Sequence, residues 1–324
     1  MSRPRDTALD ASASEAGRNW AGNVIFAAPV QRPASIEQVQ DMVAGANKAH
    51  GLRAGHSFTA VADTQTGGAL LSLAELPQRF EIAPGRDCLT VNGAMTFTEL
   101  GPLLHQSGVA LHNVGSLSHI SLAGACSTGT HGAGNRAQCL AAVREVEIVT
   151  ASGEVAVSRR GDPDFAGMVL AMGTTGIITA LTVDVQPTYE VAQTVWQGID
   201  VATGCGNLDG LLDCAYSVGV LTQLQPAGFG DVWVKRRMDE PDPDLSRYGG
   251  RPAHGPVRPE LGGRADWAST SPGDKTPSWS EPPACGSKMR WTRLRPCRTG
   301  AKCHFPIQRR SPGASRPSRR CVPW

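Results

Sequence analysis

The sequence predicts an α+β protein in two units followed by a tail that builds neither. Three observations carry this. Capped helical patterns and strand-like runs follow one another as β-α-β-β-β-α up to Gly108, a small mixed unit. Strand-like runs resume after Pro187 around one helical stretch. Beyond residue 250 the composition changes abruptly: residues 1–250 hold 16 basic and 25 acidic side chains, residues 251–324 hold 15 and 4.

The elements are read in order. Residues 1–18 are polar, without the apolar stretch of a secretory leader, and read as a disordered lead-in. Asn23 to Val30 reads as a first strand. Ser35 and Gln38 have the spacing of a capping box, in which each side chain covers a free N–H of the first helical turn. Ile36, Val39, Met42, Val43 and Ala46 then share one helical face, and Gly51 closes the helix. Strands are expected at Ala69–Leu73 and Leu89–Asn92. Thr96 and Glu99 form a second capping box, before a helix with Leu100, Leu103 and Leu104 as its buried stripe. Val146–Thr150 and Glu154–Val157 read as a hairpin, Asp162–Ala171 as a short helix. Ile177, Thr179, Leu181, Val183 and Val185 alternate as a half-buried strand does. Past Pro187, strands are expected at Val191–Trp196, Val218–Leu224 and Val232–Lys235, with a helix near Leu208–Ala215. The resulting division is 1–18, 19–186, 187–248 and 249–324.

Two segments carry chemistry. Arg53-Ala54-Gly55-His56-Ser57-Phe58 places a histidine in a tight turn, where Gly55 permits positive φ or a close approach. By itself this is also what a locally bonded turn histidine gives. Asn113 to Gly134 follows, with Ser116, Ser118, Ser121, Ser127, Thr128 and Thr130 among five glycines and two histidines. Small hydroxyls and bare backbone N–H groups suit a pyrophosphate without needing a Lys or Arg. A Gly/Ser linker would lack the interspersed Ile120 and Leu122. A Rossmann site is not indicated, since Gly129, Gly132 and Gly134 do not fall as GxGxxG between strand and helix. Nor is there a Walker A lysine. Met172 to Thr179 is a third stretch, whose Gly176 and Ile177 could offer backbone groups to a ligand, or simply make a turn.

Taken together, GHSF, GS-x-x-H-x-S-x-AG, TGTHG-x-G and G-x-x-GIIT resemble the vanillyl-alcohol-oxidase-type (PCMH-type) flavoproteins. Within them the chain is similar to the alditol oxidase and aldonolactone oxidase group. Asn19–Asn23 (NWAGN) and Arg144–Gly153 (REVEIVTASG) fit the alditol side. The resemblance spans about residues 17–247. It implies an FAD domain of two α+β subdomains, FAD bonded covalently to His56, and a substrate domain on an antiparallel sheet. It implies FAD contacts from Arg53, Ala54, Gly55, Ser57, Phe58, Ser116, Ser121, Gly124, Thr128, Gly129, Thr130, His131, Gly176 and Ile177. Ser116 would also lie near the substrate side of the ring. The implied chemistry moves hydride from a polyol or sugar-lactone carbon to the flavin, with molecular oxygen reduced to hydrogen peroxide. The charged substrate-binding side chains would come from the C-terminal half.

That half departs from the group. Residues 251–324 hold 12 of the 23 prolines but only six Leu, Ile, Val or Phe. That is far under the roughly 20% below which a charged segment stays disordered. A GC-rich gene read out of frame gives such a composition, so a frameshifted tail and an impaired enzyme are the expectation. A nucleic-acid-binding tail and a zinc site at Cys285, Cys297, Cys303 and His304 are weaker readings, and the spacing matches no standard zinc site. No metal, nucleic-acid or membrane partner is expected. With no CxxC pair among Cys88, Cys126, Cys139, Cys205 and Cys214, a reducing, cytoplasmic setting is expected.

Overall fold

The computed structural model describes residues 17–134, 138–222 and 228–254. The lead-in up to residue 16 and the tail from 255 onward lie outside the described residues.

The fold is α+β, and its first unit has two layers of sheet. β1 (Val30–Gln31), β2 (Ala49–Gly51) and β3 (Ala69–Leu71) form a small parallel sheet in the order β1-β3-β2. Helix α1 (Ile36–Ala44) packs Val39 and Val43 against Ala69, Leu71, Val149 and Ile177. Next come β4 (Phe80–Ile82), β5 (Cys88–Asn92), helix α2 (Phe97–Gln106), β6 (Val109–Ala110) and helix α3 (Leu122–Ser127). β7 (Val143–Val149), β8 (Val155–Arg159), helix α4 (Phe165–Val169) and β9 (Ile177–Asp184) follow. β4, β5, β9, β7 and β8 form an antiparallel five-stranded sheet in that order. The main core lies between this sheet and α2, α3 and the 111–126 segment, centred on Leu89, Leu100, Leu122, Ile148 and Leu181.

Side chains that bond at fixed offsets set the helix starts. Ser35 Oγ accepts from Gln38 N–H at 3.3 Å. The return half of the expected box differs: Gln38 Oε1 takes the N–H of Ala34, one residue earlier. The Thr96–Glu99 box is complete, with Glu99 Oε2 accepting from Thr96 N–H at 2.8 Å. Thr96→Ala is expected to lower stability by about 1 kcal/mol, read as a shift in the urea midpoint.

Several expected boundaries move. α1 stops at Ala44 with Gly45 as its cap, because Gly45 N–H bonds Asp41 O at 3.0 Å; Gly51 instead ends β2. Only an isolated bridge at Ile25 occupies the expected strand 23–30 before β1. At the expected boundary near Pro187, β10 (Gln186–Pro187) pairs with β6.

The second unit is a four-stranded antiparallel sheet. Its order is β12 (Ser217–Leu221), β13 (Asp231–Arg237), β11 (Val191–Gln197), β14 (Arg251–Pro252). The expected helix at 208–215 resolves into α5 (Val201–Gly206) and α6 (Leu208–Leu212), each capped by its own Asp200 or Asn207. Trp196, Leu211, Val218, Val232, Val234, Leu245 and Tyr248 form this unit's core. β14 carries this sheet to Pro252. Trp196 and Gln197 pair with Pro252 and Arg251, and Ala253 N–H reaches Val195 O at 2.9 Å. An edge strand needs only backbone groups on one side, so Pro252 is tolerated there.

The units meet through tyrosines. Tyr216 donates its hydroxyl to His112 O, and Tyr189 donates to Leu111 O at 3.2 Å. The Arg237 guanidinium lies over the Tyr189 ring at 4.8 Å. Among the described residues no helix is long and apolar enough to cross a membrane.

Candidate flavin site

The Gly55-His56-Ser57 turn follows β2 in the parallel sheet, and a clasp from residues 19–23 holds it. Gly55 has φ +59°, a conformation glycine adopts without strain. Its carbonyl accepts from Trp20 N–H at 2.7 Å. The buried Asn19 amide donates to Ser57 O at 2.9 Å and to Asn23 Oδ1 at 2.7 Å. Asn23 donates to Phe58 O at 3.1 Å. Phe58 itself projects, 56% exposed, edge-on to His56 at 5.9 Å.

His56 therefore sits between two partners. The Trp20 ring centroid is 4.4 Å away, and His56 Nδ1 lies 3.1 Å from His119 Nε2. Burial, and secondarily His119, push the His56 pKa down to about 4. Burial lowers that of His119 as well. A half-buried imidazolium beside another imidazole loses hydration without gaining a counter-charge. His56 is thus neutral, and its nitrogen lone pair available, at neutral pH. An NMR titration of the His56 ring should give a midpoint near 4 instead of the usual 6.5. The sign for stability follows: the unfolded chain binds the proton first. This group's contribution is complete above pH 6.5 and is lost as pH falls from there toward 4.

The second segment folds around a helix that its sequence did not announce. Ser121 Oγ caps α3 by accepting from Gly124 N–H at 3.2 Å. Leu122 and Ala123 N–H groups bond Met95 O and Gly93 O. The start of α3 is therefore satisfied internally, and Ser121 and Gly124 serve each other. Thr98 N–H bonds Ser118 O at 2.7 Å, which fixes the strip carrying His119 beside α2.

The chain after α3 doubles back tightly. Gly129 has φ +66°, and Thr130 N–H returns to Ala125 O at 2.8 Å. Thr128 and Thr130 hydroxyls are 3.0 Å apart. At Gly132 a side chain would place its first carbon 2.3 Å from Asn113 Oδ1 and 2.4 Å from Val114 O. Gly115 likewise packs against Thr130 and His131. The two halves of the segment thus lie side by side, with Ser116 and Thr128 exposed at the surface. His131 is exposed, its Nδ1 2.8 Å from Gly132 O.

The remaining candidates are placed as follows. Arg53 is engaged within the fold, bonding Ala94 O at 3.3 Å and Glu99 Oε1 at 2.9 Å. Ala54 packs against the main core. Ile177 is 3% exposed in the core beneath α1 and pairs with Val149 at the start of β9. Gly176 (φ +147°) abuts Val149 O. Next to it, Thr175 Oγ1 is buried with no hydrogen-bond partner among the described residues. The donor set fits an FAD. It combines neutral hydroxyls, loops that only glycine allows to approach, an orphaned buried hydroxyl, and a neutral histidine beside an exposed aromatic ring. Sequence reasoning assigned no role to Asn19, Trp20, Asn23 or His119. The paired asparagines four residues apart were the available signal.

Comparison with known proteins points to the same cofactor. Residues 27–158 match the family described as FAD binding domain. The chain carries an FAD-binding domain, and FAD is its cofactor. Over 240 residues it is 40% identical to an alditol oxidase from a Streptomyces species, covering 72% of this chain and 56% of that protein. It is 32% identical over 177 residues to an L-gulono-1,4-lactone dehydrogenase of Mycobacterium tuberculosis, covering 53% of this chain and 41% of that one. It is 30% identical over 189 residues to the D-arabinono-1,4-lactone oxidase of Saccharomyces cerevisiae, covering 55% and 36%. The chain spans about half the length, or less, of these relatives.

Proposed function

We propose that this chain is an FAD-dependent oxidoreductase acting on CH–OH groups of a polyol, in the manner of an alditol oxidase. The observation that carries the reading is the 40% identity to an alditol oxidase, which extends past the FAD domain into the second unit's strands. When bound, FAD supplies the two-electron acceptor for the CH–OH carbon, and in an oxidase dioxygen leaves as hydrogen peroxide. His56 anchors the ring covalently. The 113–134 segment and Gly176–Ile177 hold the dinucleotide, and Ser116 lies toward the substrate. A sugar lactone is the second reading, favoured by the lactone-acting relatives at 30–32% identity. The unusual composition of residues 255–324 supports the further reading of an impaired enzyme, since no counterpart of the implied charged substrate residues is recognised there.

The assay is peroxide release from xylitol and sorbitol against L-gulono- and D-arabinono-lactone, repeated with an artificial electron acceptor without oxygen. Polyol-dependent peroxide supports the first reading. Lactone-only turnover moves it to the second, and dye reduction without peroxide makes it a dehydrogenase. Turnover at the rate of a full-length alditol oxidase would overturn impairment.

A further inference from the structure

Covalent attachment requires one imidazole nitrogen to face the flavin's 8α carbon in a fixed direction. The residues that fix His56 come from two distant segments. Trp20 covers one side of the ring, tilted 35° at 4.4 Å. His119, 63 residues along the chain, meets Nδ1 at 3.1 Å. Behind them, Asn19, 3% exposed, accepts from Val24 N–H at 3.0 Å while donating to Ser57 O and Asn23. One asparagine thus ties the 19–24 loop to the His56 turn. The Trp20 N–H to Gly55 O bond closes the other side.

We infer that Trp20 and His119, backed by Asn19, are positioning residues for forming the bond between His56 and the flavin. The inference rests on the reading of His56 as the anchor. The bond formed joins an imidazole nitrogen to the 8α carbon, and the bonds broken are one C–H of that methyl and the imidazole N–H. Two electrons pass to the flavin ring and are then removed by dioxygen as hydrogen peroxide. His119 is placed to take the imidazole proton and Trp20 to prevent the ring from turning away. Both histidines are held neutral by burial, which leaves each ring a lone pair at neutral pH.

The test compares the full chain with Trp20→Ala, Trp20→Phe, Asn19→Ala and His119→Gln. Two quantities are read after mixing with FAD: total bound flavin, and the rate at which the His56 peptide gains the flavin mass, measured from pH 5 to 9. Expected are near-normal total flavin and a covalent rate roughly 100-fold lower in Trp20→Ala and His119→Gln, given what misplacement or loss of a base costs. Trp20→Phe should recover most of the rate, and the pH profile of His119→Gln should differ from wild type. If Trp20→Ala does not fold, His119→Gln and Asn19→Ala decide the matter. Wild-type covalent rates in these variants would overturn the inference while leaving the anchor reading intact. Total flavin falling in parallel with the covalent fraction would also overturn it. A wild-type chain with no mass added at His56 would remove the anchor reading itself.

Discussion

Replacement of His56 by alanine should leave every molecule of flavin extractable. Under the proposed bond from the His56 nitrogen to the ring, acid precipitation of the wild-type chain is expected to give a yellow pellet. In His56→Ala the colour should move entirely to the supernatant, a change from full to zero covalent occupancy. Binding should survive: apart from the His119 contact, no hydrogen bond to His56 holds the 113–134 segment or the Gly176 turn among the described residues. The alanine side chain also removes a half-buried imidazole whose pKa is depressed to about 4. The variant should therefore lose less stability than wild type between pH 6.5 and 4, a difference that paired urea titrations at pH 7 and 5 would read. Coloured pellets from both proteins would sink the assignment.

The second large effect is on the fold. Gly176→Ala should destabilise the protein by about 3 kcal/mol, the combined cost of forcing a glycine-only backbone conformation and a backbone clash. Its φ is +147°, and the added carbon would stand 2.4 Å from Val149 O, a distance no side-chain shift can relieve. Val149 pairs with Ile177 where β7 and β9 meet beneath α1, so the strain enters the sheet at its join to the helical layer. A melting temperature lower by roughly 6–12 °C is expected for a chain of this size. An unchanged melting curve would mean that this turn can be rebuilt without cost. The same variant should weaken flavin retention, because the orphaned Thr175 hydroxyl sits in the displaced turn.

The parts of this fold legible in the sequence are those whose physics is local. The Thr96–Glu99 box is readable because both hydrogen bonds close within three residues. β9 is readable because a strand buried on one face alternates residue by residue. α3 was not, since Leu-Ala-Gly-Ala-Cys-Ser is small and lacks a helical stripe; it forms because its first N–H groups find carbonyls at Gly93 and Met95. β6, β10 and β14 are two residues each and exist only through their partners. At the site, the glycines and hydroxyls of 113–134 were visible as a type of surface. What each residue does was not: Ser121 became a helix cap, and Arg53 became a tie to Glu99.

By itself, then, the sequence determined the α+β class, the two helices with side-chain caps at their starts, and the cofactor. These follow from residue type and short spacing. Only the tertiary structure decided that Trp20 and His119 flank His56 and that Asn19 clasps its turn. It also decided that the second sheet runs on to Ala253. Those contacts join segments tens of residues apart, and their geometry is set by how the sheets and loops pack, which no local pattern encodes.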